Sequence, residues 1–260
     1  MAYALVTGGS SGIGRKYAEV LARDYHYDLL IVSIQQQELA DTKKEIEGLY
    51  GVKVQTLYQN LAEADAAEKV YQFCEKEKIE VEVLINNAGL LIFDAFARVP
   101  SAKIETLLMV HVVTMTKLCR LFGTDMIARQ KGYILNMSSM SAWMAMPSIQ
   151  VYNASKAYVL SFSKALWYEF RPHKVRVLAV TPGSTDTGLL PFSPTFGKML
   201  RWAGITMAPE KLVKRALKVL FKRRKKRCMP GAWNYIIVPI INHLPDWMVF
   251  TAMKFFPMFK

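Results

Sequence analysis

The sequence predicts a doubly wound α/β fold on a parallel sheet, in a single domain that carries a basic, aromatic-rich C-terminal extension. Three observations predict it. Strand and helix signals alternate along most of the chain, and a glycine-rich turn joins the first strand to the first helix. Strands such as Val177-Leu178-Ala179-Val180 are apolar without a break. Unbroken apolar strands suit a sheet covered on both faces, and strand–helix repetition puts helices there with any ligand at the carboxyl edge.

The elements follow in order. Tyr3–Val6 is the first strand, Thr7–Gly14 the turn, and a helix runs from about Arg15 to Tyr25 with Tyr17, Ala18, Leu21 and Ala22 inward. Asp28–Ser33 is strand two and Glu38–Tyr50 a helix; Val54–Gln59 is strand three and Ala62–Lys78 the next helix. Val81–Asn86 is strand four, Lys103–Ala128 a long helix, and Gly132–Ser138 strand five. Tyr152–Phe170 is a helix, Val175–Thr181 strand six, and Lys211–Phe221 an amphipathic helix with Leu212, Ala216, Leu217 and Leu220 inward. Repeats, low-complexity tracts and linkers are absent from the sequence. At 260 residues and 52% hydrophobic content the chain can bury one good core.

Composition excludes several classes. Cys74, Cys119 and Cys228 lack metal-ligand spacing and an even partner set, so they read as free thiols in a reducing compartment. The first strand begins almost at Met1, which leaves no room for a signal peptide. No run of consecutive apolar residues reaches spanning length, so a membrane-spanning helix is not expected. The expected location is cytoplasmic.

Tyr152 and Lys156 form a Tyr-x-x-x-Lys step on one helical face, and Ser139 lies thirteen residues upstream. A tyrosine of ordinary pKa ~10 is a poor acid–base catalyst near neutrality, and an adjacent cation favours its phenolate. A serine hydroxyl at the same point can polarise a substrate oxygen. Together they can move a proton on or off an alcohol oxygen while another group carries the hydride. At the other end, the turn Thr7-Gly8-Gly9-Ser10-Ser11-Gly12-Ile13-Gly14 can bring backbone N–H groups to a pyrophosphate at a helix N-terminus. Glycine also serves tight turns for steric reasons alone, so context decides its meaning.

These motifs, with Asn86-Asn87-Ala88-Gly89 between them, resemble the short-chain dehydrogenase/reductase family from Ala2 to about Thr187. The resemblance implies a Rossmann-like fold, a nicotinamide cofactor and a homodimer or homotetramer. It places Gly8, Gly12 and Gly14 in the cofactor turn with Ser10, Ser11 and Ile13 among them, and Asn87, Ala88 and Gly89 beside the adenosine. It makes Ser139, Tyr152 and Lys156 catalytic. Pro182, Gly183 and Thr187 match an element around the nicotinamide carboxamide, with Thr185 inside it. A ketoreductase or hydroxysteroid dehydrogenase of lipid metabolism would carry this set. A cofactor-bound scaffold is the rival, although a scaffold needs none of the catalytic three.

Three positions depart from the family pattern. His111 stands where the family normally places an asparagine whose helix distortion lets a carbonyl hold a water linked to the lysine. An imidazole could join that proton relay or simply pack. After strand two comes Ser33-Ile34-Gln35-Gln36-Gln37, with neither the acid that excludes a 2′-phosphate nor a cation that attracts one. Ser33, Gln35 or Arg15 could receive the phosphate, which tilts the reading slightly toward NADP(H). Asn60 replaces an aspartate that contacts adenine, and its amide can still hydrogen-bond the base.

Substrate contacts are expected from Met140, Met144 and Met146 between Ser139 and Tyr152, and from a lid over residues 188–206. These thioether and aromatic groups suit a bulky apolar carbonyl or alcohol, steroid-like or long-chain acyl. Each single one of them is also compatible with ordinary core. Charge is uneven: residues 201–260 hold 13 of the 34 Lys and Arg but 2 of the 21 Asp and Glu, a net +11, which leaves +2 for the rest. The run Lys222-Arg223-Arg224-Lys225-Lys226-Arg227 precedes Trp233, Tyr235, Trp247, Phe250 and further phenylalanines, interrupted by Pro239, Pro245 and Pro257. It reads as a solvated helix end before the last strand, as a membrane-surface contact, or, least expected, as a nucleic-acid site.

Overall fold

In the computed structural model, residues 2–183, 207–223, 225–231 and 234–255 are described. Seven parallel strands lie in the order β3-β2-β1-β4-β5-β6-β7. They are β1 (Tyr3–Thr7), β2 (Asp28–Ser33), β3 (Val54–Tyr58), β4 (Val81–Asn86), β5 (Gly132–Met137), β6 (Val175–Val180) and β7 (Arg227–Cys228). The order reverses between β1 and β4, so the crevice for a ligand opens at their carboxyl ends.

Burial on both faces explains the apolar strands. On one face α1 (Gly12–Tyr25), α2 (Gln36–Tyr50) and α7 (Pro209–Lys222) cover Ala4, Val6, Leu29, Ile31, Leu178 and Val180. On the other, α3 (Ala66–Lys76), α5 (Met115–Ala128) and α6 (Gln150–Phe170) cover Leu5, Leu30, Leu84, Ile134 and Val177. Side chains alternate across a strand, so each strand feeds both cores. Each fully buried leucine contributes roughly 1.5–3 kcal/mol.

Two features differ from expectation. The long helix is α4 (Ser101–Leu108) and α5 joined by a π-helical turn, Met109–Thr114, which carries His111. Within Ser101–Ala128 an 18-residue window has a mean hydropathy of 1.3, enough by length and composition to cross a membrane. No unbroken apolar run of spanning length is present, as expected, because isolated charges such as Lys117 and Arg120 interrupt it, and the Leu, Val and Met around them keep the window's average high. In this segment Leu118, Cys119, Phe122 and Met126 face the sheet core, which accounts for the apolarity. The C-terminal stretch, read as a proline-interrupted tail, forms α8 (Asn234–Asn242) and α9 (Asp246–Phe255), with Pro239 inside α8. All three cysteines are buried and free. Thr185, Thr187, the lid and Trp233 lie outside the described residues.

Candidate active site

Strand β1 ends at Thr7, whose hydroxyl accepts from the N–H groups of Asn87 and Ala88 at 3.0 Å each. The Asn87 side-chain amide donates to the carbonyl of Thr7 at 3.2 Å. The segment after β4 therefore braces the glycine turn. Gly8 (φ +63°) and Gly12 (φ +55°) take left-handed conformations. Gly14 packs so closely that a Cβ there would lie 2.0 Å from the carbonyl oxygen of Gly8. At Gly12 an added Cβ would meet nothing within 4 Å, and no side chain caps the first turn of α1. Open space above uncapped N–H groups at the end of a helix dipole suits a pyrophosphate, with Ser11 exposed and Ile13 half-buried beside it.

The adenosine side holds a group missed in the sequence. Ser10 Oγ lies 2.9 Å from Ser33 Oγ and donates to Glu38 Oε2 at 3.0 Å. Ser33 Oγ also accepts from the Gln35 N–H at 3.2 Å. A carboxylate is thus linked through Ser10 to Ser33 at the end of β2. Arg15, the expected cation, is paired with Glu19 and Glu45 instead. Asn60 is exposed, and its Oδ1 accepts from the Ala62 N–H at 3.0 Å.

The catalytic side is assembled from β5, the turn after it and α6. Ser139 begins a 3₁₀ turn, Met140–Trp143, and its Oγ accepts from the Ser141 N–H at 3.2 Å. Tyr152 and Lys156 project together, with the ammonium 5.5 Å from the phenol ring centroid. Lys156 Nζ donates to the carbonyl of Met137 at 3.0 Å, which leaves two protons for other acceptors. Burial pushes the Tyr152 phenol above its ordinary value, and the hydrogen bond with Ser139 pulls the other way. Burial pushes Lys156 down to about 8. Burial of each group, and not their pairing, sets the direction of both shifts here. A cavity of about 10 Å³, bordered by Lys156, His111, Thr114 and Met137, has room for one water beside the ammonium.

His111 is buried, with Nε2 accepting from the Leu90 N–H at 3.0 Å and Nδ1 lying 2.9 Å from Ser155 Oγ. Pro182 accepts from the Met140 N–H at 2.8 Å, which joins the segment after β6 to the Ser139 turn. Gly183 lies against Asn234 at the start of α8, where a Cβ would come within 2.5 Å of Asn234 Oδ1. Of the three expected substrate-side methionines, Met140 and Met146 are half-buried, whereas Met144 is only 7% exposed and packs inward. The half-buried run Leu90-Leu91-Ile92-Phe93 was missed; the Asp94 N–H donates to the Ser148 carbonyl at 3.0 Å and ties it to the same loop. Among the described residues there is no group of three or more His, Cys, Asp or Glu able to hold a metal.

The sequence model described as short chain dehydrogenase matches residues 2–194. The chain belongs to the short-chain dehydrogenase family. It is an oxidoreductase acting on hydroxyl or keto groups with a nicotinamide cofactor, as that family does. A very-long-chain 3-oxoacyl-CoA reductase of Bos taurus is 30% identical over 97% of this chain and 78% of its own length. A 17-beta-hydroxysteroid dehydrogenase type 3 of Mus musculus is 29% identical over 97% of this chain and 80% of its own. Among solved structures, a 7beta-hydroxysteroid dehydrogenase superposes with a TM-score of 0.86 at 24% identity, covering 97% of this chain and 96% of that one. A short-chain dehydrogenase from Sphingobium yanoikuyae in complex with NADPH gives 0.79 at 26%, covering 98% and 96%.

Proposed function

We propose that this short-chain dehydrogenase interconverts a ketone and a secondary alcohol on a bulky apolar substrate, a long-chain acyl compound or a steroid. The juxtaposition of Ser139, Tyr152 and Lys156 at the carboxyl end of β5 carries the reading. When bound, the nicotinamide supplies the hydride in reduction and accepts it in oxidation. Ser139 orients the carbonyl by hydrogen bonding its oxygen. Tyr152, kept protonated by burial, delivers its proton to that oxygen, and takes it back in the reverse direction. Lys156 uses its remaining protons on the nicotinamide ribose and on the path that reprotonates the phenol. The names of the two relatives, with the apolar run at 90–93 and Met140 and Met146, support the substrate class.

NADP(H) remains the proposed cofactor, because no acid directly follows β2, and Glu38 is the group that limits the preference. The working form is proposed to be a homodimer or homotetramer.

The protein is further proposed to touch a membrane surface. Helix α8 packs against the Met140–Trp143 turn, and Tyr235 of α8 with Trp247 and Phe250 of α9 are exposed. Lys226 lies 4.6 Å from the ring centroid of Tyr168, and Arg227 lies 5.2 Å from that of Trp143. Lys222, Arg223 and Lys225 remain exposed for anionic headgroups.

Replacing Tyr152 with Phe tests the central assignment. The ring stays and the proton goes, so kcat on a fatty-acyl or steroid ketone should fall ~10²-fold or more while cofactor binding persists. Retention of more than about a tenth of kcat would remove Tyr152 from this role.

A further inference from the structure

The surroundings of His111 settle its protonation by elimination. A backbone N–H can only donate, so Nε2, which accepts from Leu90, carries no proton. In the neutral ring the proton then sits on Nδ1 and is donated to Ser155 Oγ. The Ser155 hydroxyl in turn donates to the carbonyl oxygen of Tyr152 at 2.7 Å. The bonds run one way, from the Leu90 amide through imidazole and hydroxyl to the backbone of the catalytic tyrosine. The imidazole also packs edge-on against the Tyr152 ring, with centroids 5.7 Å apart. Gly89 leaves the space for it, since a Cβ there would come within 2.7 Å of Nε2.

We infer that His111 is a neutral positioning residue, a bridge that ties the segment following Asn87-Ala88-Gly89 to the backbone at Tyr152, and that it does not carry protons. Protonating Nε2 would set N–H against N–H at Leu90. Burial and the charge of Lys156 both oppose the imidazolium, holding its pKa well below the ordinary value. Lys156 and Tyr152 are the titratable groups facing the ring. The choice of histidine follows from reach. An asparagine amide extends about as far as Nδ1 and a glutamine amide about as far as Nε2, whereas imidazole holds both ends at once. The bridge spans from the loop beside the cofactor to the acid–base group, and its effect on turnover rests on the proposed role of Tyr152.

Four variants of the full chain test it: His111→Asn, His111→Gln, His111→Ala and Ser155→Ala. Asparagine keeps the Ser155 end, so the cofactor KM should rise more than kcat falls. Glutamine keeps the Leu90 end, so kcat should fall more than the cofactor KM rises. Alanine at either position should lower kcat about tenfold or more, since misplacing a reacting group by ~1 Å costs up to ~10²-fold. In ¹⁵N spectra of the wild type, the His111 ring should show the Nδ1–H neutral tautomer unchanged between about pH 5 and 8. An Nε2–H tautomer, or ring titration in step with the pH profile of kcat, would overturn the bridge. So would a His111→Ala protein within about twofold of wild type in both kcat and cofactor KM. Should the alanine variant fold poorly, the Asn–Gln split and the tautomer still decide. An active Tyr152→Phe enzyme would defeat the acid–base assignment and leave the tautomer and cofactor KM as independent tests of the bridge.

Discussion

Helices α7 and α9 are built from the same kinds of residue and end in very different surroundings. Both start with an acid in the first turn and finish with a lysine in the last, Glu210 and Lys222 against Asp246 and Lys254, which complements the helix dipole. Yet α7 buries Leu212, Val213, Ala216, Leu217 and Leu220 against α1 and β6, whereas α9 leaves Trp247 67% and Phe250 63% exposed. In α7 the apolar side chains recur every three or four residues and form a stripe that the sheet can cover. In α9 Trp247, Phe250, Thr251 and Lys254 share one face, which mixes aromatic groups with a cation. Apolar surface in the body of the protein holds a site rigid, and the same surface near the C-terminus is left available for contact. The catalytic region shows the reverse economy, with a polar group, Lys156, sealed inside.

The largest effect should come from that sealed group. A lysine brought from 10.5 to about 8 by burial destabilises the fold by about 3 kcal/mol at neutral pH. Lys156→Met should therefore raise stability by about that amount in urea titration while nearly abolishing turnover. The sign follows from linkage: between about pH 8 and 10.5 the unfolded chain binds more protons, so wild-type stability should climb across that window. In the methionine variant that climb should vanish. Ketone reduction by the wild type should decline as pH rises through about 8 and Lys156 loses its charge.

Next in size is the exposed counterpart. Changing Lys222, Arg223 and Lys225 to Gln removes three surface charges, each worth ~1 kcal/mol near an anionic bilayer. Co-sedimentation with phosphatidylserine vesicles should weaken accordingly, and wild-type binding should weaken with salt as the Debye length shrinks to ~3 Å at 1 M. Trp247→Ser with Phe250→Ser should weaken it again without changing kcat on a small ketone. Equally poor binding to neutral and anionic vesicles at low salt would make the run a solvated helix end and erase the functional side of the contrast.

The smallest effect lies at the adenosine edge. Glu38→Gln removes the carboxylate beside Ser10 and Ser33, so kcat/KM should shift toward NADPH by about tenfold, near 1.4 kcal/mol. Ile34→Asp should shift it toward NADH. A Glu38→Gln enzyme with unaltered selectivity would show that the carboxylate swings away when cofactor binds.

Strands β1 to β6 and their helices were legible from the sequence because parallel strands buried on both faces leave unbroken apolar runs, and most boundaries fell within two residues. The exceptions are instructive. The expected helix at Ala62 starts at Ala66, because Asn60 and Glu63 hold the intervening turn with local hydrogen bonds. The break at Met109–Thr114 left no trace in the hydrophobic period, since a π-helical turn shifts register without changing composition. In α8 and α9, prolines that read as interruptions sit inside one helix and just before the other.

The motifs by themselves determined the family and pointed to the glycine turn and to Ser139, Tyr152 and Lys156, because those signals depend on spacing along the chain. What the fold alone decided were relations between residues far apart in it. Glu38 meets Ser10 across 28 positions, Gly183 meets Asn234 across the C-terminal half, and His111 joins Leu90 to Ser155. The direction of the Tyr152 and Lys156 shifts belongs to the same class. Spacing suggests a cation acting on a phenol, but desolvation depends on everything packed around the pair, and burial is the largest cause of both shifts.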